Sequence, residues 1–318
     1  MSRAAGAGGG AGGGAGGGAA GGATGGAGAG APPAPARRRG GVQHVFVVER
    51  TERVSSHLVR VHLGGPAFDD FVGAADPACL ASTDAYVKLL LPPGGSTLEP
   101  PYDLDALRAS VPADELPVRR TYTVRAVDHD ARTLAIDFVV HGSSGVAGPW
   151  AASARPGDRL ALSGPGGLWS PTPGPDTRHV LLGDEAAAPA IAAALERMGP
   201  EARGTALIEV ATAADEFPLA APAGVALRWL HRGTGADAVP GQALVAALTA
   251  LPAPADGERV SVFAHGERTA MKAARVVLQE RWGLDRSALS LSAYWALGRA
   301  EDRFQAEKRE PVGDVFAA

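Results

Sequence analysis

Arg120, Tyr122 and Thr123 sit in the alternating run Arg119-Arg-Thr-Tyr-Thr-Val-Arg-Ala-Val127. A strand sends alternate side chains to one face, so Arg120 and Tyr122 share a side and Thr123 adds a hydroxyl one step along. A guanidinium beside a phenol ring matches a ligand with both a pyrophosphate and a flat ring, because the arginine fork suits phosphate oxygens and the ring offers a plane. A flavin dinucleotide is such a ligand. The same residues also read as an exposed edge strand carrying a surface arginine, so neighbouring motifs have to decide.

The next stretch with chemical potential is His141-Gly-Ser-Ser-Gly-Val-Ala-Gly-Pro-Trp-Ala151, a glycine-rich turn leading into a short helix expected to begin near Gly148 and Pro149. Small residues and an early proline leave backbone N–H groups free at the positive end of a helix, which suits a pyrophosphate. Alone it reads equally as a surface loop. Together with Arg120 and Tyr122 it could hold the other end of one dinucleotide. Arg155-Pro-Gly-Asp158 and Gly164-Pro-Gly-Gly167 read as turns, and Trp150 and Trp169 as core or wall residues.

Further along, Leu182-Gly183-Asp184-Glu185 ends an apolar strand, and Ala264-His265-Gly266-Glu267 repeats the arrangement. A glycine at the carboxyl end of a parallel strand marks where ligands bind in such sheets. No G-x-G-x-x-G or phosphate-loop lysine accompanies it, so a nucleotide would be held more loosely than in a standard dinucleotide fold. His141, His231 and His265 lie near these motifs and read as hydrogen-bonding or structural residues.

The elements that must position these residues fall into two halves. From Val42 to about Ser170 the pattern is short and period-two, with Val59, Val61 and Leu63, then Val87, Leu89 and Leu91, then Leu134, Ile136, Phe138 and Val140 on one face. An antiparallel β-barrel or sandwich follows. From Arg178 onward apolar strands (179–182, 205–210, 225–230, 260–263) alternate with helical stretches (186–198, 242–248, 268–281), which implies an α/β domain with a parallel sheet. The proline-rich run Pro171-Thr-Pro-Gly-Pro175 separates them, giving domains at 42–173 and 176–300, with a C-terminal extension over 301–318.

Residues 1–41 hold eighteen of the 43 glycines and the arginines 3, 37, 38 and 39 without an acid. Such a segment cannot bury enough apolar surface to offset its ordering entropy and is expected to be disordered. The remainder is more acidic than the whole chain's net −4, which argues against nucleic acid as a partner. One cysteine, Cys79, excludes an internal disulfide and any multi-cysteine metal or iron–sulfur site. No apolar run is long enough to span a membrane and no secretory h-region follows the first arginine, so no membrane insertion and a cytoplasmic location are expected.

Taken in order, these motifs resemble the siderophore-interacting protein family of flavin-dependent ferric-siderophore reductases, within the ferredoxin-reductase-like superfamily. The likeness runs from about Val42 to Ala300 through Arg120-Thr-Tyr-Thr123, His141-Gly142, Gly145 to Ala151, Arg155-Pro-Gly-Asp158, Gly164-Pro-Gly-Gly167, Gly183-Asp-Glu185 with Pro189-Ala190, Trp229-Leu-His-Arg232, Gly266-Glu267 and Tyr294-Trp295 with Gly298. Three places depart from it. Gly145-Val146-Ala147-Gly148 stands where relatives often show Gly-Pro-Ala then Ser or Thr, Ala186 where Thr is common, and Arg268-Thr269 where small residues are expected.

The resemblance implies an antiparallel β-barrel FAD-binding domain followed by an α/β parallel-sheet NAD(P)-binding domain. It implies FAD held by Arg120, Tyr122 and Thr123, with Tyr122 against the ring and Thr123 near its reactive edge, and by His141, Gly142, Gly145, Ala147, Gly148 and Trp150. Gly183, Asp184, Glu185, Gly266 and Glu267 would line the crevice for NADPH or NADH, Tyr122 and Thr123 would serve catalysis, and Lys88 and Arg299 would grip an anionic ferric siderophore. A ferredoxin-like electron donor is a further partner in view. No protein-bound metal is implied. Two other readings stay open: a flavin reductase with a different acceptor, and a module that binds the chelate without turnover.

Overall fold

A computed structural model describes residues 42–142, 145–235 and 237–316. The glycine-rich tail over 1–41 and Ser143-Ser144 of the loop after His141 lie outside the described residues.

Six strands close into an antiparallel barrel: β1 (His44–Ser55), β2 (Leu58–Gly64), β3 (Tyr86–Leu91), β4 (Val118–Asp128), β5 (Thr133–Val139) and β6 (Arg159–Gly166), in the order β1-β2-β5-β4-β3-β6. The short helices α1 (Ala67–Ala74), α2 (Pro77–Leu80), α3 (Leu104–Ser110) and α4 (Ala147–Ser153) fill its connections. Period-two patterning explains the closure. Val61, Leu63, Val87, Leu89, Leu134, Ile136 and Phe138 are fully buried and meet Phe46 and Phe71 inside. Each such side chain contributes about 1.5–3 kcal/mol of burial.

One strand departs from the expected single buried face. β5 is buried on both sides: Thr133 and Ala135 on its outer face are covered along with Asp137, which receives a two-pronged ion pair from Arg60 of β2, Nε to Oδ1 at 2.6 Å and Nη2 to Oδ2 at 2.9 Å. A paired carboxylate can be covered where a free one could not.

The second half is a five-stranded parallel sheet of β7 (Thr177–Asp184), β8 (Arg203–Val210), β9 (Gly224–His231), β10 (Arg259–Glu267) and β11 (Leu289–Trp295), ordered β11-β10-β7-β8-β9. Helices α5 (Ala188–Arg197), α6 (Gln242–Ala250) and α7 (Arg268–Arg275) form crossovers, α7 continuing as a π turn over Val276–Arg281. A last helix, α8 (Glu301–Glu307), follows β11.

The two halves share apolar contacts. Leu58 of β2 joins the cluster of Leu181, Ile191, Ile208 and Phe263, and the Trp169 ring packs on Phe263 at 4.8 Å between centroids. The hairpin between β1 and β2 also docks on the second half, where Asp215 meets His57 Nδ1 at 2.5 Å. The carboxyl ends of the parallel strands are thereby turned toward β3 and β4.

Candidate functional site

A cavity of about 630 Å³ lies where the barrel meets the parallel sheet. Arg120, Tyr122 and Thr123 reach it from β4, Tyr86 and Lys88 from β3, and His141, Gly145, Ala147 and Gly148 from the glycine loop and the start of α4. The sheet side supplies Glu185, Pro189, Arg232, His265, Tyr294 and Trp295, and the C-terminal segment supplies Lys308. A second cavity of about 420 Å³ lies between the barrel and α5, where Arg125 is already committed to the carboxylate of Glu196. The larger one brings the motif residues together.

On β4 the alternation places Arg120 and Tyr122 together, as the pattern predicts, while Arg119 and Thr121 alternate with them and are more exposed, Thr121 at the cavity's edge. The Tyr122 ring packs on Phe138 at 4.5 Å, and Phe138 in turn meets Trp150 at 5.5 Å. That backing fixes the plane of the ring and leaves its other side to the cavity. Burial raises the Tyr122 pKa well above the usual phenol range, so the hydroxyl keeps its proton. Arg120 donates from Nη1 to Asp302 at 3.2 Å.

The loop after β5 is open at the positions where a ligand needs room. A Cβ built on Gly142 or Gly145 meets nothing within 4 Å, and both residues have positive φ, +62° and +78°. Gly148 is different, since a Cβ there would stand 3.1 Å from the Val139 carbonyl oxygen, so it lets α4 approach β5. The helix begins at Ala147, slightly earlier than the expected Gly148. Gly142 and Trp150 are not among the residues lining the cavity; Trp150 is part of the wall behind Tyr122. A cation, a backed aromatic plane and an open glycine loop along one cavity fit a flavin dinucleotide.

At the strand ends the motif residues divide. Glu185 reaches the cavity and forms an ion pair with Arg232 at 2.7 Å, while accepting from the Ala211 N–H at 3.1 Å. Asp184 is 2 % exposed and not among the lining residues. Its carboxylate accepts from Trp295 Nε1 (2.7 Å), the Glu267 N–H (2.9 Å) and the Ala186 N–H (3.0 Å), and so ties together the ends of β7, β10 and β11. Burial, reinforced by Glu185, pushes its pKa up to about 7.

Glu267 caps α7 by accepting from the N–H groups of Thr269 and Ala270, and also receives Leu297 N–H at 3.1 Å. Gly183 and Gly266 serve close packing. A Cβ on Gly183 would stand 2.4 Å from that of Ala187, and one on Gly266 2.8 Å from Asp184 Oδ2. These four residues build the crevice rather than line it.

His265 faces the cavity as a neutral imidazole. It is 6 % exposed, stacked on Phe263 at 4.1 Å and bonded through Nε2 to Ser290 Oγ at 3.0 Å; burial, aided by Lys308, lowers its pKa to about 3. Tyr294 lies close by, its hydroxyl facing Thr123 across the two halves, and burial raises its pKa.

Of the two basic residues implicated in chelate binding, Lys88 lines the cavity and Arg299 does not. Arg299 is held by Glu307, which receives Arg303 Nε (2.8 Å), Arg268 Nη1 (2.7 Å) and Arg299 Nε (2.9 Å) while only 2 % exposed. Those three guanidinium groups hold the carboxyl down at about 2. Arg268, which departs from the small residues expected there, thus anchors the C-terminal segment, and the segment carries Lys308 into the cavity. Burial and the facing Lys88 lower the Lys308 pKa, against the pull of Glu301.

Neither Lys308 nor Asp84 is legible in the sequence as a site residue. Asp84, also on the cavity wall, is fixed by the Trp169 N–H at 2.8 Å, and burial raises its pKa. Asp84 precedes a strand without a recognisable pattern around it, and Lys308 lies beyond every motif, so neither leaves a spacing signal.

Known proteins share this architecture. The family described as Siderophore-interacting FAD-binding domain matches residues 47–169, and that described as Siderophore-interacting protein matches residues 176–298. Uncharacterized protein Rv2895c of Mycobacterium tuberculosis is 43% identical over 281 residues, covering 84% of this chain and 95% of that protein. Ferric vibriobactin reductase ViuB of Vibrio cholerae is 32% identical, covering 84% and 94%. Among solved structures, a siderophore utilization protein from T. fusca superposes with a TM-score of 0.67 at 36% identity, covering 81% of this chain and 94% of that one.

Proposed function

The chain belongs to the siderophore-interacting protein family, and from that premise we propose that it is an FAD-dependent ferric-siderophore reductase, using NADPH or NADH as hydride donor and working in the cytoplasm. The observation that carries this reading is the convergence of Arg120, Tyr122, Thr123, the open glycine loop, the sheet-end pair Glu185–Arg232 and Lys88 on one cavity.

FAD held there would supply the exchange between a two-electron hydride donor and one-electron iron, for an overall balance in which NAD(P)H and two Fe(III) give NAD(P)⁺, two Fe(II) and a proton. Arg120 would hold the pyrophosphate with the loop from His141 to Gly148, Tyr122 would set the plane of the ring, and Thr123 would donate its hydroxyl at the reactive edge. Lys88 and Lys308 supply positive charge where an anionic ferric chelate enters. Reduction releases the metal because Fe(II), less charged and softer, binds hard oxygen chelators far less tightly. The reaction asks no acid–base dyad of the protein, in keeping with a neutral His265.

Arg232, just beyond β9, lines the cavity in its ion pair with Glu185 and would be the cation to meet a 2′-phosphate if NADPH is the donor, whereas Arg228 is exposed on that strand. The test is anaerobic: FAD-loaded protein, NADPH or NADH, a ferric siderophore and an Fe(II)-specific chromogenic chelator. Fe(II) should appear in twofold excess over nucleotide oxidised. Flavin that is reduced by nucleotide while no siderophore class yields Fe(II) would overturn the reading, and reduction only by a reduced ferredoxin would replace the donor.

A further inference from the structure

Tyr86 has no part in the reductase scheme, yet its placement is unusual for a tyrosine. Along β3 the residues alternate, Tyr86 and Lys88 outward and Val87 and Leu89 into the barrel core. Tyr86 is 37 % exposed and lines the cavity with Lys88. Its ring rests on the backbone of Gly166 in β6: a Cβ there would stand 2.5 Å from the ring carbon Cζ, so a larger residue would displace the ring. In register, Tyr86 lies opposite Thr123 and Lys88 opposite Thr121, whereas Tyr122 lies opposite Val87. The two tyrosines therefore leave the β3–β4 ribbon on opposite faces. Tyr122 is backed by Phe138, and Tyr86 by glycine, with its outer surface open.

One wall thus offers an aromatic plane and, two residues along, an ammonium that senses a second one on Lys308. A planar aryl ring bearing anionic oxygens complements that wall: the ring stacks on the tyrosine and the chelate's negative charge meets the lysines. A hydroxamate chelate has no ring to stack. We propose that Tyr86 is a specificity-determining residue that selects ferric chelates of the catecholate class, its ring seated on Gly166 as a platform beside Lys88. This rests on the ferric-siderophore reading.

The experiment uses redox-inert Ga(III) chelates, titrated into FAD-loaded protein by calorimetry: gallium enterobactin as the catecholate and gallium desferrioxamine B as the hydroxamate. Wild type should bind the catecholate at least about tenfold tighter. Tyr86→Ala should weaken the catecholate by about 2- to 10-fold, leave the hydroxamate and the flavin content unchanged, and be rescued by Tyr86→Phe. Equal weakening of both chelates, no effect on either, or loss of FAD from Tyr86→Ala would overturn the inference. Failure of the parent reading looks different: wild type then binds neither chelate and releases no Fe(II) from any siderophore.

Discussion

Asp184→Asn separates a scaffolding carboxylate from a ligand-binding one. The wild-type carboxyl is buried, and its pKa stands near 7 instead of 3.8. An acid whose folded pKa lies above its unfolded one keeps its proton longer in the fold. Its contribution is therefore intact below about pH 4, declines as pH rises, and is constant again above about pH 7. At 1.36 kcal/mol per pH unit the loss approaches about 4 kcal/mol as a ceiling. Asparagine has the same shape and no charge, so it escapes this loss.

The variant carries a fixed cost of its own. Oδ2 accepts from Trp295 and the Glu267 N–H, and Oδ1 from the Ala186 N–H. An amide retains one oxygen, so at least one donor is left facing an NH₂ group, at about 1–3 kcal/mol. Urea unfolding of both proteins at pH 4.5, 6, 7 and 8, with saturating FAD, should show the variant less stable at the acid end and the gap closing or reversing by pH 8. Nucleotide affinity should not change. A gap independent of pH, or one that widens in favour of wild type as pH rises, would show that the three donors keep Asp184 ionised in the fold and that burial does not dominate.

Arg120→Ala should lower FAD affinity about tenfold or more, the worth of a charge-assisted hydrogen bond, whereas Tyr122→Ala should also alter the flavin absorption band and slow turnover; wild-type flavin content and turnover in both variants would refute the flavin grip. Gly183→Ala should destabilise the fold by about 1–3 kcal/mol, because its Cβ would press on Ala187 and the His265 carbonyl at 2.4 and 2.7 Å, and an unchanged thermal midpoint would show that the strand end yields.

Which features are legible in the chain follows from which signals are local. Strand alternation is local, so the sequence alone places Arg120 and Tyr122 on one face, and Val59, Val61 and Leu63 in the core. Strand–helix alternation likewise implies the parallel sheet, although it does not reveal Leu289–Trp295 as the fifth strand. Charge at a strand end is ambiguous because sequence shows the carboxylate but not its donors. Asp184 and Glu267 read as cofactor ligands, yet each already accepts three hydrogen bonds, from backbone N–H groups and, for Asp184, Trp295. Glutamate is also an uncommon helix cap, which hides the role of Glu267. Lys308 reaches the cavity on a segment held by Phe304 in the core and by Arg268 on Glu307, a long-range arrangement without a motif.

That arrangement also bears on how Arg120 could serve a cofactor while paired with Asp302. Asp302 is 73 % exposed, and ion pairs with so exposed a partner are worth about 0–1 kcal/mol. A pyrophosphate offers more charge and oxygens spaced for the guanidinium fork, at about 1.5–3 kcal/mol for each charge-assisted bond. If Arg120 holds the pyrophosphate as proposed, exchanging Asp302 for phosphate is favourable there. The exchange does not require α8 to leave, because the helix is anchored separately through Glu307. On the proposed reading Arg120 would turn to the cofactor while Lys308 stays on the cavity wall with Lys88, so filling the flavin site would leave the cationic side of the cavity in place.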